Sequence, residues 1–302
     1  MSRQEAPPSP RLYLWQRVGV AIPYLWLLIF FLAPFLIVMK ISLADPLVAQ
    51  PPFTPLLDWE RGGSPIHATL DNYRFVLGDQ LYRLTYLRSI ELAAVSTLLC
   101  LLVGYPMAYG IARSRPTTRN ILLLMVVLPF WISFLLRVYA WMGLLSSRGV
   151  INSLLLWAGL IDEPLEILYT DTAVFLGMVY SYLPFMILPL YANLERLPED
   201  LLEAAADLGG RPWQVFLDVT VPLSMAGIIA GCLLVFIPAM GEFVIPALLG
   251  GPDTLMIGRV VYEEFFFNRD WTVAAAVAVL LLAILLVPIA IFQRYESQSE
   301  GA

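Results

Sequence analysis

The stretch Glu203-Ala204-Ala205-Ala206-Asp207-Leu208-Gly209, closed thirteen residues further on by Pro222, is a polar, helix-forming interruption between two long apolar runs. The rest of the chain reads as built for lipid. Of 302 residues 59% are hydrophobic, and the mean hydropathy is +0.76, values of a polytopic membrane protein and not of a soluble enzyme. Six runs reach the length of about 20 apolar residues that crosses a bilayer: 18–43, 89–112, 121–145, 173–194, 223–249 and 272–292. Inside lipid each must be helical, because a helix satisfies its own backbone N–H and C=O groups. The expectation is an all-α transmembrane domain over 18–293 with six spans, a tail at 1–17, a connector at 44–88, the polar interruption at 195–222 and a short tail at 294–302.

Arginine placement sets the orientation. Arg3, Arg11 and Arg17 precede the first run, and Arg113, Arg115 and Arg119 follow the second with no acid among them. The loop after the third run instead holds Asp162, Glu163, Glu166 and Asp171 against Arg148. Both termini are therefore expected in the cytoplasm and 44–88 outside it. The 195–222 segment fits poorly, being acidic with only Arg196 and Arg211, but acids weigh little in this rule and the alternation of spans prevails. The Pro7-Pro8-Ser9-Pro10 opening and the long first run do not match a cleavable signal peptide. Cys100 and Cys232 fall inside spans and read as small buried apolar residues, not as a disulfide pair. A formal charge of −6 gives no support for nucleic-acid binding.

Several chemistries are excluded. Lys40, the sole lysine, has no Gly-x-x-x-x-Gly-Lys-Ser/Thr pattern around it, so a phosphate-cradling Walker A loop is absent. With His67 as the sole histidine, a His-Glu-x-x-His zinc site is impossible. An intramembrane enzyme also lacks a Ser–Lys dyad, since Lys40 ends the first span. The chain is expected to be no enzyme and to hold neither cofactor nor metal. If ATP drives it, another chain binds the ATP.

Segment 197–219 reads as two short helices. Pro198 suits a first turn, where its missing N–H is not needed, and Glu199 and Asp200 then face the positive end of the helix dipole. Leu201, Ala205 and Leu208 recur at helical spacing as one apolar stripe. Gly209-Gly210 supplies the stop and Pro212 the next start. Glu203 and Asp207, four apart, repel by a few tenths of a kcal/mol, an arrangement that suits a basic partner surface. The plainer alternative is a solvated acidic helix between two spans.

The Glu-Ala-Ala…Gly…Pro spacing resembles the EAA loop of bacterial ABC-importer permeases, with Val219-Thr220-Val221-Pro222 where that family has Ile-x-Leu-Pro. The resemblance runs from about residue 13 to 292. Leu70-Asp71-Asn72-Tyr73 is similar to a segment of type I importer permeases. More specific are Phe236-Ile237-Pro238-Ala239-Met240-Gly241-Glu242-Phe243-Val244-Ile245-Pro246 and its continuation Leu249-Gly250-Gly251-Pro252-Asp253 and Met256-Ile257-Gly258-Arg259. With Arg137-Val138-Tyr139-Ala140-Trp141-Met142-Gly143 and Asn268-Arg269-Asp270-Trp271, they look like the permeases of polyamine importers, those for putrescine above all.

The resemblance implies a six-helix type I permease of the bacterial inner membrane with cytoplasmic coupling helices. It implies a second permease subunit in a heterodimer, two ATPase subunits carrying ATP and Mg, and a periplasmic polyamine-binding protein. Coupling to the ATPase would fall to Glu203, Ala204, Ala205, Asp207, Gly209 and Pro222. Spermidine or another small cationic solute is the alternative cargo. An ion-coupled secondary transporter is the alternative class; it needs no such loop and often shows a repeated half, which is not found here.

Intramembrane charges are functional candidates, because holding them in lipid is costly. Three stand out: Glu91, Arg137 and Glu242. Glu242 lies beside Gly241 and between Pro238 and Pro246, where a span is expected to kink or break as at many transport sites. Two readings stay open for it: a carboxylate on a cation path, or an ion pair with Arg137. Glu91 begins its span, so it is a path residue or an interfacial one. Tyr139, Trp141, Tyr180 and Tyr182 offer faces to ammonium groups, worth about 0.5–2 kcal/mol each, or serve as interfacial anchors. Pro184 and Pro189, with Gly104 and Pro106, mark spans that bend. The proline-rich 44–88 segment and the amphipathic 255–267 segment, the latter along the membrane surface, either receive the binding protein or cap the bundle.

Overall fold

The computed structural model describes residues 20–55 and 68–299; Arg3, Arg11, Arg17 and His67 lie outside them. Among the described residues the chain is helical, with one isolated β-bridge between Pro46 and Phe53. In order the helices are α1 (Val20–Ser42), α2 (Asp71–Gly78), α3 (Gln80–Ala112), α4 (Pro116–Val127), α5 (Phe134–Leu145), α6 (Val150–Trp157), α7 (Asp171–Leu194), α8 (Glu199–Asp207), α9 (Pro212–Leu223), α10 (Met225–Met240), α11 (Val244–Leu249), α12 (Ile257–Phe266) and α13 (Trp271–Ser299). Proline shapes several of them. Pro34 and Pro222 have no N–H to donate, and before each the helix widens by one residue, so that Ala33 N–H reaches back to Leu28 and Val221 N–H to Phe216.

Among the described residues four helices, α1, α3, α7 and α13, are each long and apolar enough to cross a membrane. The count reaches six if each of two bent pairs is one span: α4 continuing into α5 and α6 through a 93° bend, and α9 into α10 through 66°. The third and fifth expected spans are thus not straight helices. The run 121–145 breaks at Ile132 and Ser133 after a tight turn over Leu128–Trp131, and the run 223–249 breaks at 241–243. Hydropathy alone places the start of α3 too late. Arg83 and Arg88 lower the apolar average without opposing a helix, and Asp79 caps its start by accepting Leu81 N–H at 2.7 Å. The second half of the 44–88 connector is therefore α2 and the first turns of α3, and α12 occupies most of 255–267.

Side-chain bonds fix which helix ends lie together. At one end of the bundle Arg88 on α3 pairs with Asp171 on α7, and Ser89 accepts Ile257 N–H of α12 at 2.8 Å. Tyr82 donates to Glu264 at 2.7 Å, Tyr86 donates to the Val277 carbonyl of α13 at 2.8 Å, and Asn72 donates to the carbonyls of Ser42 and Ala44. At the other end Arg113 pairs with Glu199 and Arg119 with Glu195. Helices α3, α7 and α13 therefore run in one direction and α1 in the other. The arginine-rich turn after α3 and the acidic 195–222 segment share an end and pair with each other. The charge that fitted poorly in sequence is a partner for the basic loop, not a contradiction of it.

Helix α7 is central, with α3 and α10 packed on it. Small residues allow that approach. Gly104 of α3 faces Met186, while Gly227 and Gly231 of α10 sit against Pro189, Asn193 and Met186 of α7. Helix contacts in lipid rest on such close packing, since apolar burial gives little preference for protein over lipid tails. A Cβ on Gly227 would stand 2.8 Å from Asn193 Cβ and 3.1 Å from the Pro189 carbonyl oxygen. Gly227→Val is expected to destabilise the bundle by about 1–3 kcal/mol, read as a lower midpoint of thermal unfolding in detergent. Ala226→Val, on an exposed neighbouring position, should leave that midpoint unchanged.

Candidate coupling loop and substrate path

The 195–222 segment forms two helices. Helix α8 begins after Pro198 with Glu199 and Asp200 in its first turn. It ends where Gly209, at φ +88°, turns the chain, and Gly209 and Gly210 N–H groups reach back to Ala206 and Ala205. Pro212 opens α9. Glu203, Ala204 and Asp207 are exposed, Ala205 is half-buried, and Pro222 lies near the corner where α9 turns into α10. The expected apolar stripe is not a buried face: Leu201 is exposed and Leu208 is 90% exposed, together with Trp213 and Leu217 of α9. The half-buried positions of α8 are Leu202 and Ala205, and Leu202 and Ala206 line a cleft with Tyr109, Val215 and Phe216.

The loop is braced from behind. Phe216 packs edge-on against Tyr105 and Tyr109 of α3, with ring centres 5.5 and 6.0 Å apart. Ser224, fully buried at the α9–α10 corner, shares a 2.8 Å hydrogen bond with the Tyr105 hydroxyl. With Arg113–Glu199 and Arg119–Glu195, this ties both loop helices to α3 and α4. The hairpin is thus joined to the spans at several points.

Deeper in the bundle, Glu242 sits in the break between α10 and α11 and is 7% exposed. Its Oε1 accepts the N–H groups of Phe243, Val244 and Ile245 at 3.1, 2.9 and 3.3 Å, and its Oε2 accepts the Tyr182 hydroxyl of α7. The carboxylate thus serves the donors that the broken helix leaves without carbonyl partners. Arg137 is also 7% exposed, but it does not reach Glu242, and among the described residues no ion pair includes it. The pairing of Arg137 with Glu242 is absent from this structure because Tyr182 and three backbone donors already occupy the carboxylate. The guanidinium lies instead over Phe130 and Phe134, 5.5 Å from each ring centre, and its Nε and Nη1 are buried without an acceptor.

Aromatic rings connect the two charges. Phe130 packs edge-on against Phe185 at 5.2 Å, and Phe185 lies 6.3 Å from Tyr182. Trp141 and Tyr180 form an edge-on pair at 5.5 Å, and Tyr180 lines an apolar cavity of about 630 Å³ with Pro106, Pro129 and Pro184. Tyr139 is exposed on the outside of the bundle, apart from this group. Glu91 lies elsewhere again, with its side chain 59% exposed and paired with Arg88 at 2.8 Å, beside a cleft with Asp253. The sequence reading misses Phe130, Phe134 and Phe185. Phe130 and Arg137 are seven apart across a break, so helical spacing cannot place them together. The Arg88–Asp171–Thr254 cluster, whose threonine donates to Asp171 at 2.9 Å, is likewise assembled across more than eighty residues of chain.

The bundle, its two broken spans and the braced hairpin are the fold of a type I ABC-importer permease. A bacterial ABC transporter involved in the import of the acidic polysaccharide alginate superposes with a TM-score of 0.62 over 94% of this chain and 99% of that one, at 20% identity, a likeness of fold. Residues 100–298 match the family described as the binding-protein-dependent transport system inner membrane component. The chain is 40% identical over 283 residues to the spermidine/putrescine transport system permease protein PotB of Haemophilus influenzae, covering 93% of each. To PotB of Escherichia coli it is 44% identical over 226 residues, which cover 75% of this chain and 82% of that one. The chain belongs to the binding-protein-dependent transport system inner membrane components.

Removing the Glu242 carboxylate strands three N–H groups in a water-poor site. Glu242→Ala should cost about 1–3 kcal/mol, and Glu242→Gln less, because its carbonyl still accepts. Thermal unfolding of the purified protein in detergent checks the order, with both variants below the parent and the alanine lowest.

Proposed function

We propose that this chain is one permease subunit of an ABC importer that carries a polyamine, putrescine foremost, across the inner membrane, with ATP hydrolysed on separate subunits. The observation that carries the reading is the α8–α9 hairpin. It exposes Glu203, Asp207, Leu201, Leu208 and Trp213 together at one end of the bundle while being braced against α3. An exposed apolar patch rimmed by charge marks an interaction site, and here it suits the basic cleft of a soluble ATPase. The basic Arg113, Arg115 and Arg119 turn at the same end supports a cytoplasmic placement for it, and with it for both termini.

In this reading Glu203, Ala204, Ala205 and Asp207 enter the ATPase. Gly209 turns the chain, and Pro222 sets the corner from which motion passes into α10. A second, different permease completes the membrane part, two ATPase copies carry ATP and Mg, and a periplasmic protein delivers the cargo at the opposite end. Glu242 with Tyr182 is the main stop for an ammonium group, and the Tyr180–Trp141 pair is a further aromatic surface along the way. Glu91 belongs to the outer rim, and Tyr139 to a surface facing lipid or the second permease. The cargo is read from relatives named for both spermidine and putrescine, and from a buried carboxylate among aromatic rings, so spermidine is the alternative.

The test is ATP-driven uptake of labelled putrescine and spermidine into proteoliposomes holding this chain, the second permease and the ATPase, with binding protein outside. Uptake should require all four components and fall to background with Glu203→Arg, and the two labels rank the cargo. Uptake driven by an ion gradient without the ATPase would contradict the reading.

A further inference from the structure

A guanidinium buried within a membrane bundle with two nitrogens lacking acceptors is costly to hold. Arg137 is in that position while a buried carboxylate, Glu242, stands in the same region of the bundle. The side chain points inward: on α5 the buried or half-buried positions are Phe134, Arg137, Val138, Trp141, Met142, Leu144 and Leu145, whereas Leu135, Leu136 and Tyr139 face out. Helix α11, which Glu242 caps, packs against α5. Both charges also adjoin irregular backbone, Arg137 one turn past the break at Ile132 and Ser133, and Glu242 within the break at 241–243. Breaks of this kind are where a span changes its bend.

We propose that Arg137 is a tethered cation that competes with the transported amine for Glu242. The inference rests on the substrate-path reading of Glu242 given above. In the present structure the guanidinium is parked on Phe130 and Phe134, an attraction that partly offsets its missing hydrogen bonds, and Glu242 Oε2 accepts the Tyr182 hydroxyl. In this state an ammonium group can take the place of the Tyr182 hydroxyl on Oε2, with the aromatic rings of Tyr182 and Phe185 beside it. When the two breaks rebend and α5 and α11 shift, Arg137 leaves its rings and takes the carboxylate. The amine is displaced, and the emptied path closes as a neutral ion pair. The same site is thereby made strong in one half of the cycle and weak in the other. An importer needs that alternation, because a carboxylate of constant affinity would retain a dication.

The test uses the assembled complex of both permeases and the ATPase in nanodiscs, without binding protein or nucleotide, and measures equilibrium retention of labelled putrescine. Arg137→Gln removes the competitor, and retention should tighten by about fivefold or more, in the range of a typical coupling between two states. Arg137→Lys, still a cation, should stay near the parent. Phe134→Leu removes a parking ring, drives Arg137 toward Glu242, and should weaken retention about two- to fivefold. Glu242→Gln should abolish retention in every background. If Glu242→Gln abolishes retention while neither Arg137→Gln nor Phe134→Leu shifts it in the stated direction, the competition is wrong and the path reading stands. If Glu242→Gln retains putrescine as the parent does, the path reading itself fails. Should Arg137→Gln not assemble with its partners, Phe134→Leu decides alone: unchanged or tighter retention overturns the proposal.

Discussion

Irregular backbone within a membrane bundle persists only where its polar groups find partners inside the protein, and the carboxylate of Glu242 provides three of them. Without it the N–H groups of Phe243, Val244 and Ile245 would lose their acceptor in the break. Because Glu242 caps α11, the span is able to stop at 241–243, turn, and place α11 against α5 and α7. The turn is then held close. A Cβ on Gly258 would collide with the Gly241 carbonyl oxygen, so α12 approaches the break more tightly than any other residue permits. One side chain thus joins the break in the fifth span to α7, beside the close approach of α12.

The second organising element is α3. At about 1.5 Å per residue its 33 residues extend roughly 50 Å, longer than the hydrocarbon core requires. It holds Tyr82, Arg88 and Ser89 against α12 and α7 at one end, and Tyr105, Tyr109 and Arg113 against the α8–α9 hairpin at the other. The strut is bonded at both ends, and the bends of α4–α5 and α9–α10 lie between these fixed points.

How much of this is legible in sequence differs from element to element. The coupling hairpin is legible because its signals are local: Pro198, Gly209 and Pro212 act on their own backbone, and the two helices form between them. The buried helices α3, α7 and α13 follow from apolar length. The start of α3 does not, since Arg83 and Arg88 depress hydropathy while remaining good helix formers. Leu201, Ala205 and Leu208 follow helical spacing, but periodicity cannot say whether such a stripe meets this chain or another; here Ala205 is half-buried while Leu201 and Leu208 are exposed. The partners of Glu242 and Arg137 are out of reach for the same reason in reverse. Tyr182, Phe130 and Phe185 arrive from α7 and the end of α4, and only the packing of α7 against broken spans brings them together. Pro238, Gly241 and Pro246 do announce the break; the carboxylate's role in holding it does not follow from them.

The claim on which the account turns is that the α8–α9 hairpin is where a separate ATPase engages this chain. A photo-crosslinking residue replacing Leu208, the most exposed large apolar residue of the hairpin, tests it in membranes holding the complete importer. Capture of the ATPase subunit, with a yield that changes on adding ATP, is the result the account predicts. Crosslinks to lipid or to the second permease, with none to the ATPase, would contradict it.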